Sequence, residues 1–205
     1  ASAAQNLVPV TLELGGKTPV VVSKTADLQV VANRVIAGKM ASAGQVCVAP
    51  DYVFLPRGSA DAFVEACLAA AKQQYPDLME TKSKGANLTF YPPSYSLQNL
   101  PTAGRFPLVL ITQPRNDMAV MLEEIFGPIL PIVEYDKIDD VLASIADGPH
   151  PLSAAYFGTD NAEAERVSRA IQTGSVVIND VRLQLAIEAL PFGGVGASGM
   201  GAYHG

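Results

Sequence analysis

Cysteine is scarce in this sequence, tryptophan is absent and positive charge is in deficit. Two cysteines in 205 residues, with no close Cys–Cys spacing, exclude a disulfide scaffold and a zinc ribbon, and no metal site is expected. Lys and Arg number 14 against 20 Asp and Glu, a formal net charge of −6. Nucleic acid and anionic membrane surfaces both need a basic patch, so this balance argues against either partner. No basic segment followed by an apolar run opens the chain, and residues 1–7 do not read as a signal peptide. The longest uncharged stretch, 86–104, holds three prolines and many polar residues and does not suit a bilayer span. What is present, 49% hydrophobic and 17% charged residues, is the composition of a packed domain rather than a disordered or fibrous chain. The expectation is an acidic, soluble domain of a reducing compartment. The chain starts at Ala1 in what reads as the end of an Ala-rich helix, which suggests a segment of something longer.

Short apolar runs alternate with helical patterns. Strands are expected at 10–14, 19–22, 52–55, 108–112, 129–135, 152–157 and 175–179. Helices are expected at 27–44, with Asp27 as N-cap and Leu28, Val31, Val35, Ile36 and Met40 on one face, and at 59–74, 136–147 and 161–173. In the 59–74 helix, Ala62, Phe63, Ala66 and Ala70 are expected to face inward. This alternation predicts an α/β fold with a mostly parallel sheet. Residues 79–105 follow neither period and read as irregular loop, as does 191–205 with its six glycines.

Four segments carry candidate chemistry. Cys47 lies on a loop between a helix and a strand, where a thiol is accessible and open to activation by nearby dipoles. The alternative for Cys47 is a small buried hydrophobe. Cys67, beside Phe63, Ala66 and Ala70 in a helix, reads as core. Glu13 stands in an apolar strand, where desolvation favours a raised pKa and work as a general base, unless it is the outward residue of a half-exposed strand. Nucleophile and base make a pattern for covalent catalysis, although 34 residues of separation do not establish contact. Glu123-Glu124-Ile125-Phe126-Gly127-Pro128 sets acidic and aromatic groups before a turn into a strand. The glycines of 191–201 lack the strand–glycine–helix order of a dinucleotide fingerprint, and close backbone packing accounts for them better.

Together the four segments resemble the aldehyde dehydrogenase superfamily. Leu12-Glu13-Leu14-Gly15-Gly16-Lys17 is similar to its glutamate signature and Gly44-Gln45-Val46-Cys47 to its cysteine signature. The Glu123 to Pro128 run is similar to the cofactor-contact motif, and the stretch from Pro191 to Gly201 to the C-terminal glycine-rich loop. Cys47-Val48-Ala49-Pro50-Asp51-Tyr52 and Met200-Gly201-Ala202-Tyr203-His204-Gly205 look most like the class 3 and coniferyl-aldehyde branch.

The resemblance implies that 1–205 is part of a catalytic domain whose N-terminal cofactor domain is absent from this chain. It implies NAD or NADP as cofactor and a bulky aldehyde, aromatic or long-chain, as substrate. Cys47 would form a thiohemiacetal and then a thioester, which Glu13 would hydrolyse through an activated water. Glu124 would hold the nicotinamide ribose, with Phe126 near the nicotinamide. Lys17, Gly193, Gly194 and Asn179 would be structural, and His150 and His204 have no assigned role. The native enzyme would be a cytoplasmic homodimer. The alternative is a truncated, non-catalytic subunit, or one that keeps only weak thiol-dependent esterase activity.

Overall fold

Valine-rich runs short enough to be strands, separated by amphipathic stretches, leave the chain one way to bury both: a sheet with helices on each face. A computed structural model describes residues 2–75, 88–91, 99 and 106–205. In chain order its first half contains α1 (Ser2–Gln5), β1 (Leu12–Glu13), β2 (Thr18–Val22), α2 (Leu28–Met40), β3 (Pro50–Pro56), α3 (Ala60–Gln74) and β4 (Leu88–Tyr91). The remainder contains β5 (Leu108–Thr112), α4 (Ala119–Leu122), β6 (Ile129–Tyr135), α5 (Ile138–Ala146), β7 (Ala154–Phe157), α6 (Asn161–Ala170), β8 (Val176–Ile178) and β9 (Gly199–Met200).

Seven strands form one sheet in the order β4-β5-β6-β3-β2-β7-β8. Every neighbouring pair is parallel except β4 with β5. Because side chains alternate along a strand, Val20 and Val22 enter one core with Val53, Leu55, Leu110 and Ile132, while Val21 and Phe54 enter another. Helices α2 and α3 cover the first face, through Val31, Val35, Ile36, Phe63 and Cys67. Helices α5 and α6 cover the second, through Val141, Ile145 and Val167. Strand β2 is buried along its whole length, as a central parallel strand must be. Among the described residues no helix is long and apolar enough to cross a membrane.

Local chemistry explains the helix boundaries. The Asp27 carboxylate accepts the amides of Gln29 and Val30 at 2.8 and 3.2 Å, and Asp160 caps α6 in the same way. Helix α2 stops at Met40, earlier than its apolar period suggests. Ser42, Ala43 and Gly44 follow with φ of +51°, +53° and +76°, a left-handed turn that redirects the chain toward Cys47. Cys67 is fully buried, in keeping with a core role, whereas Ala62 faces solvent.

Three expectations need correction. The run 10–14 yields only the two residues of β1, and these lie outside the main sheet, paired antiparallel with β9. The glycine-rich end is not wholly irregular: it supplies β9, a 3-10 turn at Gly196–Ser198 and a bridge between Phe192 and Tyr203. Within 79–105, residues 88–91 form an edge strand, because Thr89, Phe90 and Tyr91 pair with Leu110, Val109 and Leu108. The rest of that span, apart from Asn99, lies outside the described residues.

Beyond β8, Asn179 adopts φ +57° and grips Gly158 at both backbone groups, accepting its amide at 2.9 Å and donating to its carbonyl at 3.0 Å. Asn179→Ala should cost about 2 kcal/mol, through two lost hydrogen bonds and a strained left-handed backbone. Asn179→Gly keeps the conformation and should cost about 1 kcal/mol less. Urea midpoints of the two variants, at unchanged slope, separate the two terms.

Candidate active site

In open α/β sheets, ligands usually gather at the carboxyl ends of the strands. Here the candidate residues gather at the opposite edge. Glu13 lies five residues before β2, Cys47 three before β3 and Glu124 five before β6. Parallel pairing sets Thr18 beside Pro50, which brings the segments leading into β2 and β3 together. The pairing of β1 with β9 then fixes Glu13, which lies opposite Gly199, and the Leu14 amide donates to the Ser198 carbonyl at 3.0 Å. Gly199 has φ +155°, and a Cβ there would strike the Leu12 carbonyl, so the strands meet this closely only through glycine.

The structure brings Cys47 and Glu13 close together: the Glu13 carboxylate, exposed on its outlying strand, acts on the thiol. Cys47 is partly buried against an apolar wall of Val46, Val48, Leu152, Leu185 and Phe192. Burial first, then the charge of Glu13, push the thiol up to about 11, with its own amide N–H acting the other way. The expected dipole activation is therefore not what this environment provides. At neutral pH the sulfur keeps its proton, and the neighbouring Glu13 carboxylate is the base at hand to receive it.

Glu124 lies beside this pair. Its carboxylate covers Gly15, where a Cβ would come within 2.9 Å of one oxygen, and lies near the Gly16 amide. Burial raises its pKa, the Gly16 amide lowers it, and Asp51 and Glu13 raise it further. Phe126 is half exposed, with φ +49°, an uncommon backbone for an aromatic residue. Gly44 lies against the Gly127 carbonyl, with no room for a side chain, which ties the cysteine loop to the segment around Glu124. Lys17 and Asp51 form an ion pair beneath them, 10% and 4% exposed at the side chains.

Sequence reasoning missed three contributors. Lys39 is 1% exposed in the last turn of α2, where a helix dipole favours a cation. Burial lowers its pKa from 10.5 to about 8, against the attraction of Asp51 and Glu124. Its signal was legible: it follows Val35 by four residues and Ile36 by three, on the apolar face. Asp51, inside β3, was visible only as a motif letter. Tyr203, bridged to Phe192 with ring centroids 5.5 Å apart, has its phenol pKa raised by burial and then by Glu13 and Cys47, so it borders the pair. No local pattern marks a tyrosine 156 residues beyond the cysteine.

A model of the aldehyde dehydrogenase family matches residues 1–86 and 78–205. The probable coniferyl aldehyde dehydrogenase of Caulobacter vibrioides is 41% identical, over 100% of this chain and 47% of that protein. The coniferyl aldehyde dehydrogenase of a Pseudomonas species is 40% identical, over 100% and 47%. A substrate-bound structure of Staphylococcus aureus AldH superposes with a TM-score of 0.83 at 36% identity, covering 100% of this chain and 48% of that one. The chain spans about half the length of the curated relatives it matches.

Two outcomes follow from the electrostatics. An alkylating reagent should modify Cys47 in the folded protein, at a rate that climbs with pH toward about 11, and leave the buried Cys67 untouched. Glu13→Gln should move that inflection to lower pH, and equal labelling of both cysteines would contradict the assignment. Lys39 loses its proton first in the folded state, so the folded form gains stability as pH rises from about 8 toward 10.5. Compared with Lys39→Met, the parent should gain up to about 3 kcal/mol across that window, read from paired urea titrations.

Proposed function

The chain belongs to the aldehyde dehydrogenase family, and we propose that residues 1–205 form the catalytic portion of an enzyme that oxidises an aldehyde to its carboxylic acid. The observation that carries this reading is the nearness of Cys47 to Glu13, a nucleophile beside a base. Glu13 takes the thiol proton as sulfur bonds to the aldehyde carbon, and the carbonyl π pair moves to oxygen. The Cys47 amide N–H is the donor available to that oxygen. NAD or NADP, when bound, supplies the hydride acceptor that turns the thiohemiacetal into a thioester. Glu13, exposed to solvent, releases the thiol proton to bulk water and then removes a proton from the water that attacks the thioester, the thiolate leaves and the acid departs.

The residues present fit the nicotinamide end of such a cofactor. Glu124 offers two acceptor oxygens for the two ribose hydroxyls, and its carboxylate is steadied by the Gly16 amide. Phe126 offers a half-exposed ring in the same segment. The apolar cluster of Val48, Leu152 and Phe192, against which Cys47, Val46 and Leu185 pack, supports a bulky apolar aldehyde, aromatic of the coniferyl type or long-chain. The names of the coniferyl aldehyde dehydrogenases it resembles point the same way. The working form in this reading is a cytoplasmic homodimer, which rests on the family resemblance.

With coniferyl aldehyde and NAD⁺ or NADP⁺, Cys47→Ser should lower cofactor reduction by about 10³-fold or more. Glu13→Gln should slow both acyl transfer and hydrolysis, and the acyl adduct that does form should persist on Cys47 and be seen by intact mass. Turnover that survives Cys47→Ser would end this reading.

A further inference from the structure

We propose that Lys17 and Asp51 are positioning residues for Glu124, an ion pair that grips the main chain on both sides of that carboxylate. The inference rests on the reading of Glu124 as the cofactor-ribose ligand and goes beyond it.

Glu124 has no secondary structure of its own to hold it. Residues 123–127 lie between α4 and β6 in neither helix nor strand, and Phe126 is left-handed. A side chain on such a segment points where neighbouring contacts send it. Asp51 supplies one contact: its Oδ1 accepts the Ile125 amide at 2.9 Å, directly after Glu124. Lys17 supplies the other: its Nζ donates to the Glu123 carbonyl at 2.9 Å, directly before Glu124, and to the Val120 carbonyl at 2.8 Å. Its third donor goes to Asp51 Oδ2. An ammonium has three N–H donors, and all three are engaged, so its orientation is fixed. The Tyr52 ring adds a face 5.1 Å from the charge.

Both partners are anchored where the fold is stiffest. Asp51 lies within β3, and Lys17 immediately precedes β2, the two central strands registered at Thr18 and Pro50. The glycines before Lys17 complete the setting, since the Gly16 amide lies near the Glu124 carboxylate and Gly15 leaves it room. Thus Gly15, Gly16 and Lys17 hold the side chain and the main chain of one segment together. The pair is almost fully buried, so water does not substitute for either partner, and removing one leaves the other charge uncompensated.

The test reads the amides of Gly16 and Ile125 by hydrogen exchange, with core amides such as Val21 as the control for folding. In the parent both amides should be protected at least about 100-fold over an unstructured chain, and free exchange of either overturns the proposal. In Asp51→Asn, Gly16 exchange should accelerate about tenfold or more while Val21 stays protected. Gly16 exchange equal to the parent's in a folded Asp51→Asn overturns it. Should Asp51→Asn lose core protection, Lys17→Arg serves instead. It keeps the charge, but its planar fork cannot direct donors at Val120, Glu123 and Asp51 together, and the same loosening is expected. In the native protein, the KM for NAD(P)⁺ should rise about tenfold in Asp51→Asn, with the aldehyde KM within about twofold. The two readings fail separately. If Glu124→Gln leaves the NAD(P)⁺ KM unaltered while Asp51→Asn still frees Gly16, the ribose role falls and the grip stands. If Glu124→Gln raises that KM and Gly16 stays protected in Asp51→Asn, the grip falls.

Discussion

The parallel pairing of β2 with β3 places Thr18 beside Pro50, and the chemistry at this edge of the sheet depends on that register. A one-residue slip would reverse which of Val20, Val21 and Val22 faces which core, so burial on both faces locks the pairing. With the strands locked, the segments entering them lie side by side. One carries Glu13, Gly15, Gly16 and Lys17; the other carries Gly44, Cys47 and, at its end, Asp51. Strand β6 joins on the far side of β3 and brings the Glu124 segment against both.

Location at the amino-terminal edge has an electrostatic cost. Helix α2 ends on this side of the sheet, so the cysteine loop follows a helix C-terminus rather than the N-terminus that stabilises thiolates elsewhere. Three carboxylates, Glu13, Asp51 and Glu124, share the region, and the thiol pKa rises through burial first and then through Glu13 and Glu124. Two largely buried lysines, Lys17 and Lys39, offset that negative charge from within the fold. The nucleophile therefore relies on a neighbouring base for its activation.

Local signals carried the fold well where a residue's partner was close in sequence. The Asp27 cap, the apolar face of α2, the core position of Cys67 and the central strands were all readable, because each depends on spacings of two to four residues. The pairing of β1 with β9 was not, since it joins positions some 187 residues apart and neither strand carries an alternating pattern. Strand β4 was hidden by the prolines that follow it. At the site, Cys47, Glu13, Glu124 and Phe126 stood out as motif letters, and the structure brings the first two close together. Lys39 received no reading although it lies on the apolar face of α2, and Asp51 none because a carboxylate inside a strand declares its partners only in three dimensions.

The two-stranded pairing of β1 with β9 also sets an order of events. A chain made from its amino end presents Leu12 and Glu13 early, along with the residues of β2 and Cys47, long before Gly199 and Met200 exist. The central strands can pair while synthesis continues, and domains commonly begin to fold in this way. Glu13 must wait, because its strand finds its partner only at Gly199 and Met200. During that interval the nascent protein has a sulfur and an adjacent sheet but no tethered base, so the reactive pair is assembled after the central sheet rather than with it.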